Sequence, residues 1–135
     1  MLGNEETKMF EKAQAAVKDF HEKFGYPVAS EPAEMDRGRF EKRVTWMMEE
    51  LGELIAADNF VDQLDAMADL LYFVFGTFVE IGVDGSEIFR IVHEANMRKS
   101  QHIFRHGKTQ KPDNWLPPES EIAMYLDNTT EEDGG

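Results

Sequence analysis

The sequence predicts an all-α fold, an antiparallel bundle of four to five helices. Two observations carry this prediction: apolar residues recur at helical spacing in four successive segments, and glycine or proline interrupts the chain after the first and the third of them. The length of 135 residues suits one domain with one sizeable core. We therefore expect a single domain over residues 1–125, followed by an acidic, flexible tail over 126–135.

The first two helices are defined by their apolar faces. The first is predicted over residues 5–24, and the second over residues 37–57, each with apolar side chains at i, i+3 and i+4. A second stripe lies beside the apolar face of the second helix and runs from Arg39 through Trp46 to Glu53. Along this edge the side chains change from cationic to aromatic to anionic.

The third helix, predicted over residues 61–81, is nearly apolar all round from residue 66 to residue 79. This pattern predicts a central, buried helix. Its early carboxylates share one face: Asp62, Asp65 and Asp69. A fourth helix is predicted to begin near Asp84 and to end at about Ser100, and residues 101–118 are expected to form an ordered loop.

The composition excludes several functional classes. The net charge of −13 argues against a nucleic-acid backbone or an anionic membrane as the main partner. The absence of cysteine excludes a disulfide scaffold, a thiolate zinc site and a cysteine nucleophile. No apolar run approaches the ~20 residues of a membrane span, and the first ten residues lack a signal-peptide pattern. We therefore expect a cytoplasmic protein.

The charges are sorted along the chain. Between Val44 and Phe89 there are 10 acidic residues and no lysine or arginine. Between Arg90 and Lys111 there are six basic residues, with Glu94 as the single acidic one. Charge runs of this kind are usually solvated surfaces, but they are also typical of a metal site beside an anion site.

Asp69 makes the metal interpretation the stronger one. Its neighbours in the sequence AMADLLYFVFG are almost all apolar, and a buried carboxylate must be paired, protonated or metal-bound. No basic residue lies between Val44 and Phe89, so an ion pair would need a base from elsewhere, such as Arg43 or Lys99.

The second helix offers further carboxylates in the sequence EELGE: Glu49, Glu50 and Glu53. If the second and third helices are antiparallel neighbours, these side chains converge on Asp65 and Asp69. Converging carboxylates repel one another unless a divalent cation neutralises them. Oxygen ligands without histidine or cysteine favour Mg²⁺ or Mn²⁺ over Zn²⁺.

Over residues 37–118 this pattern resembles the all-α nucleotide pyrophosphohydrolases, the MazG-like proteins and the phosphoribosyl-ATP pyrophosphohydrolase-like group. The resemblance rests on EExxE in one helix, an acidic pair ending in Asp69 in the next, and the segments VHEANMRKS and GKTQKPDNWLPP. Many members have Glu three residues before the final Asp, where this chain has Ala66. Asp65 is the expected substitute, with Asp62 one turn further back.

The resemblance implies hydrolysis of a nucleoside triphosphate between the α and β phosphates, giving the monophosphate and pyrophosphate. Mg²⁺, or Mn²⁺ in its place, is then held by four carboxylates: Glu50, Glu53, Asp65 and Asp69. Glu49 is expected to orient or deprotonate the attacking water, or to bind an additional ion. Asn96 and Lys99 are expected to contact phosphates.

The resemblance also implies a homodimer or a tetramer, whose sites borrow residues from a partner chain. Two alternatives stay open at this point. One is hydrolysis of phosphoribosyl-ATP, which is the same chemistry on a different nucleotide. The other is a non-catalytic helical dimer whose acidic face binds a cation or is only solvated.

Overall fold

A computed structural model describes the backbone of residues 3–105 and 107–134, and the side chains of residues 3–99 and 107–129. The described chain contains five helices and one short hairpin: α1 (Asn4–Phe24), α2 (Arg37–Ala56), α3 (Phe60–Ile81), α4 (Gly85–Met97), β1 (Ser100–Arg105), β2 (Lys108–Gln110) and α5 (Glu119–Gly134). The predicted all-α helical class is confirmed. The first three predicted helices agree with α1, α2 and α3 to within one residue at each end.

Local sequence explains where α2 and α3 begin and end. The Asp36 side chain caps α2 by accepting a hydrogen bond from the Arg39 backbone N–H at 3.1 Å. The Asn59 side chain caps α3 in the same way from Asp62 N–H at 2.8 Å. Gly82 ends α3 with φ 69°, in the left-handed region that glycine enters without steric cost.

The chain after α4 differs from the sequence prediction. Helix α4 ends at Met97 rather than near Ser100, and part of the predicted loop is an antiparallel hairpin of β1 and β2. Arg105 pairs with Lys108, which leaves a two-residue turn, and Gly107 in that turn has φ 74°. A two-residue turn containing glycine at positive φ matches the twist of a hairpin.

Helix α5 extends into the region predicted to be an acidic tail, as far as Gly134. The flexibility of that tail, and the single domain expected over residues 1–125, stay predictions. By its internal contacts the chain divides into two units, one of residues 9–85 and one of residues 1–8 with 86–135.

The unit of residues 9–85 has a small core between α1 and α3. Val17, Phe75 and Val79 are buried there, and the rings of Phe10 and Phe75 meet edge to face with centroids 4.8 Å apart. Gln14 joins α1 to the turn after α3, because its side chain donates to Val83 O and accepts from Gly85 N–H.

The other unit contains most of α4, the hairpin and α5. Ile91 and Ala95 of α4 are buried. Trp115 donates its indole N–H to Ala95 O at 2.7 Å, and Arg98 donates to both Leu116 O and Glu121. These bonds join the end of α4 to the segment that leads into α5.

In the described part of the chain, no single helix has both the length and the hydropathy of a membrane span. Helices α3 and α4 satisfy that criterion only when they are taken together as an interrupted pair.

Candidate metal centre

Helices α2 and α3 are antiparallel neighbours joined by residues 57–59. Their hydrogen bonds define the register, since Arg43 of α2 donates to Phe73 O and to the Thr77 hydroxyl of α3. Two turns further along α2, Glu50 therefore lies opposite Asp69, which is about two turns back from Thr77 along α3. The predicted pairing of these two helices is what brings their carboxylates together.

Three of the predicted ligands converge. Carboxylate oxygens of Glu50, Glu53 and Asp69 all lie within 4.8 Å of one another. Glu50 and Glu53 are one turn apart on α2, and Asp69 reaches them from α3. Three like charges at this spacing repel one another strongly when no cation lies between them.

Glu50 carries the clearest sign of an incomplete site. Its Oε2 atom is buried and has no hydrogen-bond partner among the described residues. Burial, a hydrogen bond shared with Glu53, and the charges of Glu53, Asp69 and Asp65 raise the pKa of Glu50 to about 6. A bond between two carboxyl groups needs a proton between them, so the ionised Glu50 loses it.

Asp69 is affected in the same direction. Burial raises its pKa, and the nearby charges of Asp65 and Glu53 raise it further. No lysine or arginine forms an ion pair with Asp69 among the residues whose side chains are described. Among the described side chains, the carboxylates of this cluster therefore lack a cation that would neutralise them.

The cluster fits a hard divalent cation. All its donors are carboxylate oxygens, and the buried Glu50 Oε2 is an acceptor for which these side chains provide no donor. Bound to the three carboxylates, a dication would neutralise the repulsion and complete the coordination of that atom. Oxygen donors alone do not select Mg²⁺ over Mn²⁺.

Arg43 is not the partner of Asp69, which the sequence analysis left open. It is buried and all three of its guanidinium nitrogens are engaged, by Glu80, Thr77 and Phe73 O. Arg39 adds two bonds of 2.8 Å to the same Glu80 carboxylate. Burial alone would raise the pKa of Glu80, but the Arg39 hydrogen bonds and the two arginine charges hold it below its ordinary value.

Glu80 is the polar residue that sequence reasoning missed. It is buried next to the arginine pair, near the end of a helix that looks apolar in sequence. The sequence feature that could have indicated Glu80 is its position one helical turn after Gly76. Because Gly76 has no side chain, it leaves room for Arg43 and His21. A Cβ atom at Gly76 would lie 2.4 Å from Arg43 Nη2 and 2.8 Å from His21 Nε2.

The other predicted carboxylates take different positions. Asp65 lies outside the three-residue cluster, but its charge raises the pKa of both Glu50 and Asp69. Asp62 takes part in the cap of α3, where its carboxylate accepts a hydrogen bond from the Asn59 side chain. Glu49 is exposed on α2 and is not part of the cluster. Its catalytic role stays a prediction.

The predicted phosphate contacts belong to the other unit. Asn96 is exposed in the last turn of α4, and its carbonyl accepts a hydrogen bond from Lys99 N–H. The ammonium groups of Lys99 and Lys111 lie 5.6 Å and 4.9 Å from the centroid of the Trp115 ring, respectively. Their contact with a substrate stays a prediction.

Beside the metal cluster there is a cavity of about 260 Å³ whose walls are largely aromatic: Phe20, His21, Tyr26, Arg43, Trp46, Tyr72 and Phe73. Trp46 comes four residues before Glu50 on α2, and Phe73 comes four residues after Asp69 on α3. The cavity is therefore one helical turn away from the carboxylates.

A protein-family model matches the chain. The family model described as phosphoribosyl-ATP pyrophosphohydrolase matches residues 17–96, which include α2, α3 and the whole carboxylate cluster. No curated protein matches the chain.

Proposed function

We propose a substrate and a metal for this chain, which belongs to the phosphoribosyl-ATP pyrophosphohydrolase family. The family is part of the MazG-like superfamily and acts on phosphoric anhydride bonds. The proposed reaction is Mg²⁺-dependent hydrolysis of a nucleoside triphosphate between the α and β phosphates. Its products are the nucleoside monophosphate and pyrophosphate.

A single observation carries the proposal. Glu50, Glu53 and Asp69 present oxygens within 4.8 Å of one another, and Glu50 Oε2 is buried without a hydrogen-bond partner among the described residues. A carboxylate surface that is only solvated would not need a buried, unpaired oxygen, since such an atom costs about 1–3 kcal/mol. A ligand that supplies positive charge accounts for both features.

The chain's own residues would divide the work as follows. Glu50, Glu53 and Asp69 would hold Mg²⁺, with Asp65 adding negative charge nearby. When bound, the cation neutralises charge on phosphate oxygens. Glu49, exposed on the same helix, would accept a proton from the attacking water. Lys99 and Asn96 would contact the phosphates, the lysine as a point charge and the amide as a donor.

Phosphoribosyl-ATP is the second candidate substrate, and the description of the matching family favours it directly. Its hydrolysis breaks the same type of bond and releases pyrophosphate from the same kind of polyphosphate group. The carboxylate cluster suits both substrates equally, because it faces the phosphates rather than the base.

The decisive experiment measures pyrophosphate release from the eight common nucleoside and deoxynucleoside triphosphates and from phosphoribosyl-ATP, with Mg²⁺ and with EDTA. We expect metal-dependent release from at least one of them. Glu50→Gln should lower kcat/KM by at least about 100-fold, because it removes a charge at the centre of the cluster. Glu34→Gln is the matched control: it removes an exposed carboxylate outside the cluster and should retain full activity.

The outcomes separate the alternatives. Release from phosphoribosyl-ATP alone would replace the first substrate with the second. Full metal-dependent activity of Glu50→Gln would contradict the proposed site. If no nucleotide is hydrolysed but Mg²⁺ still raises Tm, the chain is the non-catalytic cation-binding protein.

We also propose that the protein acts as a homodimer. Helices α2 and α3 each carry an exposed apolar stripe at i, i+3 and i+7: Met48, Leu51 and Ile55 on α2, and Leu64, Met67 and Leu71 on α3. Exposed apolar patches on neighbouring helices are typical of protein interfaces. A second copy of the chain is the partner that the family's predicted dimeric assembly favours.

A further inference from the structure

None of the carboxylates proposed to bind the metal lines the aromatic cavity. It has a volume of about 260 Å³ and is lined by side chains from α1, the segment after it, α2 and α3. This volume is slightly below the ~300 Å³ at which pockets for whole small molecules begin. The cavity is thus suited to one ring system of a ligand that continues outside it.

The walls form two separate aromatic groups. In the first, the rings of Phe20 and Tyr26 are stacked with centroids 5.8 Å apart, and Tyr72 meets Phe20 edge to face at 5.5 Å. In the second, Trp46 and Phe73 have centroids 5.8 Å apart. No ring contact joins the two groups within the described side chains, so the cavity is a gap between two aromatic walls.

The three rings of the first group are open to solvent. Phe20, Tyr26 and Tyr72 are all exposed to solvent although each touches another ring. Arg39 and Arg43 lie 5.2 Å and 5.4 Å from the centroid of Trp46, which holds the indole in position against α2. A firmly held indole beside an open gap is suited to stacking on a flat ring.

The position of the gap relative to the carboxylates identifies the ring. Trp46 and Phe73 are each one helical turn from a proposed metal ligand, Glu50 and Asp69 respectively. In a nucleotide the base is separated from the polyphosphate by the sugar. We infer that the gap between Trp46 and Tyr72 binds the base of the nucleotide substrate, and this inference rests on the proposed function.

The polar groups of the wall indicate how the base is recognised. Among the described residues of the wall, Arg43 alone carries a guanidinium, and its three nitrogens already donate to Glu80, Thr77 and Phe73 O. The Nδ1 atom of His21 is 3.0 Å from Pro27 O. Because the three Arg43 nitrogens and His21 Nδ1 are already engaged within the protein, the base is held mainly by stacking on its faces, which accepts purines and pyrimidines alike.

The test uses nucleosides, which carry the base without any phosphate. The probes are uridine and adenosine in EDTA, and the readout is the fluorescence of Trp46 in a Trp115→Phe background, since the chain has two tryptophans. We expect both nucleosides to quench this fluorescence. Ribose 5-phosphate, which lacks a base, should bind at least about tenfold more weakly.

A matched pair of variants locates the binding. Tyr72→Leu removes a ring of the gap, whereas Phe40→Leu removes a ring outside it, and the two side chains are 41% and 42% exposed. Tyr72→Leu should weaken nucleoside binding by at least about fivefold, the lower end of what a base–aromatic stack contributes. Phe40→Leu should change it by less than about twofold.

Three results would overturn the inference. The first is the absence of quenching, and the second is equal nucleoside binding by Tyr72→Leu and Phe40→Leu. The third is a change of oligomeric mass in Tyr72→Leu alone, which would make the ring a subunit contact. Nucleoside binding needs neither metal nor hydrolysis, so it can persist when pyrophosphate release fails. Equally, release without nucleoside binding would leave the proposed function intact.

Discussion

At the scale of single residues, the ionised Glu50 destabilises the metal-free protein. Its pKa is raised from 4.5 to about 6, so the folded chain holds this proton more tightly than the unfolded chain does. The resulting stabilisation is complete below pH 4.5 and is lost as the pH rises through about 6. At neutral pH the folded protein therefore carries a destabilising negative charge, which a bound cation would neutralise.

Glu50→Gln should accordingly raise the stability of the metal-free protein while removing its response to metal. We expect the free energy of unfolding in EDTA at pH 7.5 to rise by about 1 kcal/mol. This is less than the full pKa shift of Glu50 implies, because solvent reaches the cluster. The measurement is Tm with and without Mg²⁺ at pH 5.5 and pH 7.5. Wild type should gain more Tm from Mg²⁺ at the higher pH, where Glu50 has lost its proton.

The same Tm measurements include a control variant and two results that would contradict this prediction. Glu34→Gln, outside the cluster, should leave unchanged both the Tm in EDTA and the increase of Tm on addition of Mg²⁺. A wild-type metal response that is equal at both pH values would show that Glu50 is not among the ligands. A lower Tm of Glu50→Gln in EDTA would mean that its carboxylate is satisfied without a metal.

At the scale of elements, replacing two glycines in neighbouring helices by alanine should change the free energy of unfolding in opposite directions. Gly52 of α2 has no atom within 4 Å of where a Cβ would lie, so Gly52→Ala should stabilise by about 1 kcal/mol. At Gly76 of α3 a Cβ would meet Arg43 Nη2 at 2.4 Å. That guanidinium is buried and bonded at every nitrogen, so it cannot move aside.

Gly76→Ala should therefore destabilise by about 1–3 kcal/mol in spite of the helix propensity of alanine. Urea unfolding at neutral pH measures both variants in one series. Stabilisation by Gly76→Ala would mean that Arg43 packs less tightly against α3 than it does in the structure. Destabilisation by Gly52→Ala would mean that α2 carries a contact at that position.

The same elements explain what the sequence could and could not predict. Glu50, Glu53 and Asp69 could be paired because helical spacing puts each on a known face, and a short connection makes α2 and α3 antiparallel neighbours. The hydrogen bond from Arg43 to Glu80 could not be predicted from the sequence, since it depends on how α2 and α3 are rotated about their own axes. The hairpin was missed because two short strands give little periodic signal, although Gly107 in its turn was a usable sign.

At the scale of the whole molecule, the proposed dimer can be tested through the apolar stripes of α2 and α3. Leu51 and Leu71 are half exposed on these stripes, and Ile55 is 88% exposed. In a dimer they would be buried, so a carboxylate at one of them would lose its hydration without gaining a partner. We expect wild type to have twice the 15.5 kDa chain mass by light scattering, and Leu51→Glu and Leu71→Glu to be monomeric at micromolar concentration.

The control is Ala16→Glu, which adds the same charge at an exposed position of α1 and should remain dimeric. Circular dichroism should show equal helix content in all three variants, so that a loss of mass cannot be attributed to unfolding. A wild-type monomer at tens of micromolar, or variants that dimerise as well as Ala16→Glu does, would contradict the proposed interface. If Leu71→Glu separates the subunits and also abolishes hydrolysis while Mg²⁺ still raises Tm, the partner copy supplies part of the substrate site, because the proposed metal ligands all belong to one chain.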